Sequence, residues 1–460
     1  MEKVIAVFEV GEIRKRFFLF NHDLNVVFQN EAIFPSINDE NGFEYENIFA
    51  VENWIITVLE DVIKSKKYEI VAVNYTTSEA SLAFLNGEGE LLFPIYHNSW
   101  PMSQDVIDTL YEKYGGRDEF CRKTGSPSTG MFNSGFQILW LKKERKDIFE
   151  QMAYVLHYPQ YLSHIFTHSI VSECTSIGCH TAMWDFDNRT YHPWLSDEGI
   201  ILTNPMCNHY TIETSVACQP VLSGIGVHDR SALLVPFLRS SNKKFVFVST
   251  GKRCVNMNPF NQERLTVDQL NNDCFYLFGD NRNPFQASRW EMGQIYKAGV
   301  KQLAGYFGVK AGSENSVEID EELIASLLEM GNERLFFKAG IMEDFTDPSI
   351  DLGLFSTFNE AYHRLMFDLT LWEAESLKRV APGEDEKNII VLGNFSENEI
   401  FIRLMASFFP ESKVFTTPID YASALGAALV IWPALEERKQ PVFNLSLKEW
   451  KPFDSKVKLK

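Results

Sequence analysis

With 460 residues and a formal net charge of −19, the chain is too long for one ordinary hydrophobic core, since domains beyond roughly 250–300 residues tend to split, and two domains of comparable size are expected. The acidity argues against a surface for nucleic acid or anionic lipid, because phosphate binding relies on clustered Lys and Arg. The 45% hydrophobic content contains no apolar run near the roughly 20 residues that span a bilayer, and the opening MEKVIAVFEVGEIRKR lacks a basic start followed by a long apolar stretch, so a soluble protein of cytoplasmic location is expected.

The first segment alternates short β-rich runs with turn residues. Val4 to Val10, a break at Gly11, Phe17 to Phe20, the turn Asn21-His22-Asp23 and Val26 to Gln29 read as a strand, a tight turn and a hairpin. A helical stretch from Glu52 to Lys64 precedes an apolar strand, YEIVAVNYT (68–76), and helical periodicity then dominates from Ser103 to Phe166. Further on, GIGVHDRSALLV (224–235) sets His228 and Asp229 between a small-residue turn and an apolar run, where folded chains avoid leaving a charge.

The second half restarts at KKFVFVSTGKRCVNMNPF (243–260), a β-rich run broken by Gly251 and followed by Lys252 and Arg253. Downstream the pattern predicts a long amphipathic helix over 358–380, a strand within 387–396 and a helix from Glu397 to Phe409. Each half therefore opens with strand, glycine and hairpin, and later feeds a strand into a helix. That is the outline of two α/β domains of related topology facing a cleft, with the polar RSSNKK (239–244) between them and domains expected at 1–240 and 241–460.

Seven cysteines without a CxxC pair fit reduced thiols better than a disulfide framework. GCH (178–180) and CNH (207–209) admit a metal reading, but neither has a second pair at zinc spacing.

Taken in order, these features resemble the FGGY family of carbohydrate kinases, which have two ribonuclease-H-like (actin-like ATPase) domains and move the γ-phosphate of ATP to a sugar hydroxyl. GIGVHDRSALLV resembles the family's G-x-x-H-D segment, and SALGAALV (423–430) its small-residue helix near the C-terminus. QILWL (137–141) and HYPQYLSHIFT (157–167) resemble recurrent segments of the first domain. YHNSW (96–100) stands where the kinases of L-rhamnulose and L-fuculose have Y-R-D-S-R, which makes that branch the expectation.

The resemblance implies roles for particular residues. Asp229 would be the base that receives the hydroxyl proton; on its own, Asp229 reads as the cap of the helix that follows. In EVGEIRKR, Glu9 stands for the family's metal-side aspartate, Gly11 keeps the turn, Glu12 replaces a threonine, and Arg14 or Arg16 matches the basic residue beside the phosphates. A carboxylate such as Glu12 about 4 Å from a phosphate oxygen costs roughly 4 kcal/mol at an effective dielectric of about 20. In STGKR (249–253), Gly251, Lys252 and Arg253 fall beside the phosphates, where two cations would offset Glu9 and Glu12; the alternative is an exposed charged hairpin.

Gly393 and Asn394 fall on the adenosine side, although Ser396 and Glu399 also make an S-x-x-E capping box that needs no nucleotide. Glu79, His97, Asn98, Trp100 and His228 fall on the sugar side, mixing polar groups with an aromatic as small-ligand pockets do. The implied activity is ATP- and Mg2+-dependent phosphorylation of a ketose or deoxyketose. Because both phosphate loops depart from the pattern, a non-catalytic sensor or scaffold that binds sugar or nucleotide stays open. An actin-like ATPase without a sugar site has no use for the His-Asp segment. No nucleic-acid or membrane partner is expected, and a homodimer is compatible with the sequence.

Overall fold

The computed structural model describes residues 1–77, 81–97, 102–241, 243–279, 282–331, 333–338, 340–383, 388–435, 441 and 443–453. The chain divides into two units, the first made of Met1–Asn242, Gln262–Phe285 and Tyr421–Leu445, the second of Lys243–Asn261, Gln286–Asp420 and Ser446–Lys460.

In the first unit, β1 (Glu2–Val10), β2 (Arg14–Phe20) and β3 (Val26–Ile33) form an antiparallel meander. Their β-branched and aromatic residues alternate across the pleat, which places Phe8 opposite Phe17 in the core. The turn between β1 and β2 closes with a bond from the Gly11 N–H to the Arg14 carbonyl at 3.1 Å. Helix α1 (Ile48–Ser65) starts where the Asn47 side chain accepts from Ala50 N–H, and buries Val51, Ile55, Val58, Leu59 and Val62 at helical spacing. Strand β4 (Tyr68–Thr77) then lies parallel to β1.

The stretch predicted as helical up to Phe166 is interrupted. A strand at Tyr154–His157 precedes α2 (Tyr158–Thr167), because Val155 and Leu156 meet the strand Leu82–Leu85 and pair with it. After the one-turn helix α3 (Cys174–Ile177) come β5 (Thr211–Val216), β6 (Gln219–Gly224) and β7 (Val227–His228), then α4 (Asp229–Ser240). The sheet order is β5-β6-β4-β1-β2-β3, with β7 parallel to the end of β4.

The second unit repeats the plan. Strand β8 (Phe245–Thr250) pairs antiparallel with β9 (Cys254–Asn258), which pairs with residues of β10 (Pro284–Trp290). After α5 (Met292–Phe307) and α6 (Phe358–Val380), β11 (Asn388–Gly393) returns parallel to β8. Helix α7 (Glu399–Phe408) leads to β12 (Lys413–Thr416), parallel to β11 and paired antiparallel with β13 (Lys448–Trp450). Between them the chain returns to the first unit as α8 (Ala422–Ile431), which is apolar nearly all round and buried accordingly. The mixed α/β class and the repeated meander with parallel strands agree with the expected fold class.

Among the described residues no helix is long and apolar enough to cross a membrane. None of the seven cysteines forms a disulfide among the described residues.

Candidate active site

Strands β1, β4 and β7 run parallel and end together. Glu9 is in register with Thr76 and Thr76 with Val227; one step on, Val10, Thr77 and His228 form the next row. Neighbouring strands are about 4.8 Å apart, so the Glu9 and Val227 backbones lie roughly 10 Å from each other. Asp229 follows at once as the first helical residue of α4. Ligand sites of open α/β sheets gather at such carboxyl ends of parallel strands.

The helix-capping reading of Asp229 does not survive. The N-cap of α4 is His228, and no side chain makes the capping bond. Asp229 Oδ1 is buried and accepts no hydrogen bond from the described residues, while the side chain as a whole stays 15% exposed. A carboxylate oxygen held at the strand ends, and not consumed by the helix, has the capacity to take a proton. Arg230 Nε lies 3.9 Å from Asp229 Oδ2, and His228 Nδ1 lies 3.7 Å from Oδ1. Burial pushes the His228 ring below its ordinary pKa, with the Asp229 charge opposing, so the imidazole stands neutral beside the carboxylate.

The turn leading into Asp229 is fixed by polar side chains set in apolar runs. Gly226 has φ 80°, and a Cβ there would stand 2.4 Å from the Pro159 carbonyl oxygen, so only glycine fits. The Gly226 N–H donates to Asn74 Oδ1 at 3.2 Å, and Gln160 Nε2 donates to the Ile225 and Gly226 carbonyls, each at 3.1 Å. Ser163 Oγ donates to the Gly224 carbonyl at 2.8 Å, and the His228 N–H donates to Thr175 Oγ1 at 3.0 Å. Thr175 in turn donates to Glu173 Oε2 at 2.6 Å, and burial raises the Glu173 pKa against the four hydrogen bonds its carboxylate accepts. Sequence reasoning did not single out Asn74, Gln160, Thr175 or Glu173. The available signal was a lone polar residue inside an apolar run, as in IVAVNY and HYPQYL.

The residues expected at the metal and phosphate ends are partly engaged with one another. Arg16 donates from Nε and Nη2 to Glu9 Oε1, at 3.2 and 2.5 Å, so two residues assigned separate ligands form an ion pair. Arg14 pairs with Glu31 on the surface. The unexpected member of this segment is Lys15, whose Nζ lies 3.0 Å from Glu46 Oε2 and donates to the Glu12 carbonyl at 2.8 Å, with both charged side chains buried. His97 is buried beside this pair; burial pushes its ring below the usual range, with Glu46 and Glu12 opposing. Glu79, Asn98 and Trp100 lie outside the described residues.

In the second unit, β8 and β11 end side by side, with Thr250 in register with Gly393. A cavity of about 770 Å3 opens there, lined by Gly251, Lys252, Tyr296, Asn394 and Asn398 among others. Thr250 ties the two strand ends together: its Oγ1 donates to the Leu392 carbonyl at 2.8 Å and accepts from the Phe395 N–H at 3.0 Å. Gly393 has φ 96°, and a Cβ on it would stand 1.9 Å from the Thr250 carbonyl oxygen. The Lys252–Arg253 pair is split, since Lys252 lines the cavity while Arg253 Nε lies 2.5 Å from Glu291 Oε1.

The S-x-x-E box is not formed in this loop. Residues Asn394–Glu397 make a 3-10 turn in which Ser396 Oγ donates to the Gly393 carbonyl at 2.7 Å, and Asn398 caps α7 by accepting from Phe401 N–H. The turn takes Ser396 out of capping reach and moves the helix start to Glu399. Glu314, Glu318, Glu397 and Glu399 also line the cavity, so carboxylates outnumber the amines of Lys252 and Lys297.

Among the described residues no group of three or more His, Cys, Asp or Glu is arranged to hold a metal ion. Glu9 and Asp229 are nevertheless hard oxygen donors at one end of one sheet, a donor set that suits Mg2+, which keeps several waters and takes one or two carboxylates.

Residues 4–204 match the N-terminal domain of the FGGY family of carbohydrate kinases. No curated protein matches the chain in sequence. Among solved structures, a carbohydrate kinase from Novosphingobium aromaticivorans is similar with a TM-score of 0.80 at 19% identity, covering 99% of this chain and 95% of that one. A xylulose kinase from Lactobacillus acidophilus gives 0.77 at 15% identity, covering 95% and 91%. The glycerol kinase of Plasmodium falciparum, solved with ADP, gives 0.73 at 14%, covering 96% and 91%. At these identities the likeness carries the fold, that of two ribonuclease-H-like units.

Proposed function

We propose, starting from the match of residues 4–204 to the N-terminal domain of FGGY carbohydrate kinases, that the protein is an ATP- and Mg2+-dependent sugar kinase with a ketose or deoxyketose as acceptor. The observation that supports this most is Asp229, a carboxylate at the ends of the parallel strands whose Oδ1 is buried and takes no part in capping its helix. In the reaction Asp229 accepts the proton of the attacking sugar hydroxyl as that oxygen bonds to the γ-phosphorus and the bond to the β-phosphate oxygen breaks. The His228 ring and Arg230 flank the carboxylate without consuming Oδ1.

The cavity at the ends of β8 and β11 suits the nucleotide. Gly251 and Asn394 line it and bring backbone to a ligand, Lys252 offers a cation for phosphate, and Tyr296 offers an aromatic edge. The carboxylates on its wall suit ribose hydroxyls and a base amine, which donate hydrogen bonds. When bound, Mg2+ would neutralise developing phosphate charge, and Glu9 and Asp229 are the residues suited to hold it through water. L-rhamnulose and L-fuculose are the acceptors we put first, because YHNSW stands where kinases of those sugars have Y-R-D-S-R; the solved relatives are named for xylulose and glycerol. An ADP-release assay over L-rhamnulose, L-fuculose, xylulose, ribulose and glycerol tests the reading, and release that no sugar stimulates would remove it.

A second reading, a sugar or nucleotide binder without turnover, draws on two observations: Arg16 is engaged with Glu9, and the cavity of the second unit is acidic. Calorimetry with ATP and Mg2+ separates the two, since binding without sugar-stimulated ADP release belongs to the second alone.

A further inference from the structure

A chain of hydrogen bonds runs from a buried carboxylate to the backbone N–H of His228, the residue before Asp229. Glu173 is fully buried at the N-terminus of α3. Its Oε1 accepts from Thr175 N–H at 2.8 Å and from the Cys174 thiol at 3.2 Å; its Oε2 accepts from Thr175 Oγ1 at 2.6 Å and from Ser176 N–H at 3.0 Å. A threonine hydroxyl has one proton and two lone pairs. With the proton committed to Glu173, Thr175 Oγ1 can only accept, and what it accepts is the His228 N–H at 3.0 Å.

That bond matters because of where it falls. His228 is the N-cap of α4, and its own side chain makes no capping bond, so the angle at which the chain passes from β7 into the helix is not set by a conventional cap. Asn74, Gln160 and Ser163 hold the turn at residues 224–226, but they act before His228. Thr175 holds the Val227–His228 peptide, one residue before Asp229 and the point at which β7 passes into α4.

We propose that Thr175, oriented by Glu173, is a positioning residue that sets the direction of the Asp229 carboxylate. This rests on the reading of Asp229 as the base of a sugar kinase. Neither Thr175 nor Glu173 touches substrate. Their effect is on the geometry of the reacting pair, where misplacement of about 1 Å can cost on the order of 100-fold.

The test is steady-state kinetics of wild type, Thr175→Val, Thr175→Ser and Glu173→Gln with the best sugar from the ADP-release screen, with rates referred to folded protein. Valine keeps the shape and removes the acceptor. Thr175→Val is expected to lower kcat roughly 10–100-fold with KM for sugar and ATP within about twofold. Thr175→Ser restores kcat, and Glu173→Gln falls on the side of valine. In an Asp229→Asn background, Thr175→Val adds no more than about a twofold loss, because the group it positions is gone. A valine variant with wild-type kcat, whatever its melting temperature, overturns the proposal. So does a serine variant as slow as valine. A wild type that transfers phosphate to no sugar shows instead, before any variant is made, that the kinase reading fails, and the proposal falls with it.

Discussion

Arg16 donates from Nε and Nη2 to a single oxygen of Glu9, at 3.2 and 2.5 Å, across the register pair that joins β1 to β2. On the proposed kinase reading, a metal arriving with ATP would compete with this guanidinium for the carboxylate. The rate should therefore keep rising with Mg2+ beyond what is needed to saturate the nucleotide. Glu9→Gln is expected to lower the rate at low Mg2+ roughly tenfold or more, the size of one lost charge-assisted contact at about 1.5–3 kcal/mol. Mg2+ titrations of initial rate check this; a variant matching wild type at every concentration would put the metal elsewhere.

Asp229→Asn keeps the size of the side chain and removes its basicity. The expected loss in kcat is about 10²–10⁴-fold, the usual contribution of a general base, with sugar KM nearly unchanged. Since Asp229 makes no capping bond, its replacement should not cost the roughly 0.5–2 kcal/mol that loss of an N-cap does. Thermal melting beside kinetics separates the two roles, and a destabilised but fully active variant would restore the cap.

Lys15 and Glu46 are joined at 3.0 Å with side chains 0% and 1% exposed. Removing one partner leaves the other charge buried and uncompensated, which typically costs about 3–5 kcal/mol. Lys15→Met is expected to fall in that range by denaturant unfolding. Lys15→Met with Glu46→Leu should recover most of it, since an apolar pair owes no desolvation. Equal losses in the single and double variants would mean that Lys15 contributes by packing alone.

Glu373 lies fully buried on α6, with Trp290 Nε1 donating to its Oε2 at 2.6 Å, and burial raises its pKa from 4.5 to about 7. The folded state therefore holds a proton that the unfolded chain releases from about pH 4.5 upward. The stability linked to this proton is complete below pH 4.5, falls as pH rises, and is lost once pH passes about 7. The linked loss is on the order of 3 kcal/mol. Buried histidines oppose this trend at acid pH, so the comparison is with Glu373→Gln, whose melting temperature should fall less than that of wild type between pH 5 and pH 8. Parallel profiles would mean that Glu373 is ionised throughout.

Much of the scaffold is legible in the sequence because it is locally encoded. Helix α6 spans the predicted 358–380, its apolar residues at three- and four-residue spacing behind a Thr357 cap. The two strand–glycine–hairpin openings follow from β-rich runs and turn residues. Asp229 stood out as a charge between a glycine turn and an apolar run.

What stayed hidden depends on contacts distant in sequence. Nothing in EIRKR sets Lys15 apart from its arginine neighbours, yet Lys15 faces inward because Glu46 is there to meet it. Ser396 and Glu399 satisfy a capping pattern on paper, but the bond from Ser396 to the Gly393 carbonyl holds the backbone in a 3-10 turn. Thr175 sits in a segment whose cysteines drew attention to metal chemistry, while its role depends on the distant His228 backbone.

Helix α8 gives the molecule an order of events during synthesis. It belongs to the first unit, where a Cβ on Gly426 would stand 1.8 Å from the Ala232 carbonyl oxygen and where the Ala427 carbonyl accepts from Asn74 Nδ2 at 2.8 Å. Asn74 also receives the Gly226 N–H of the turn before Asp229. While the ribosome is still making the second unit, this asparagine lacks its carbonyl partner and α4 lacks the Gly426 face that packs against Ala232. The unit that starts first therefore stays incomplete until most of the second has been made, and the nascent chain carries an uncovered apolar face until residues 422–431 emerge.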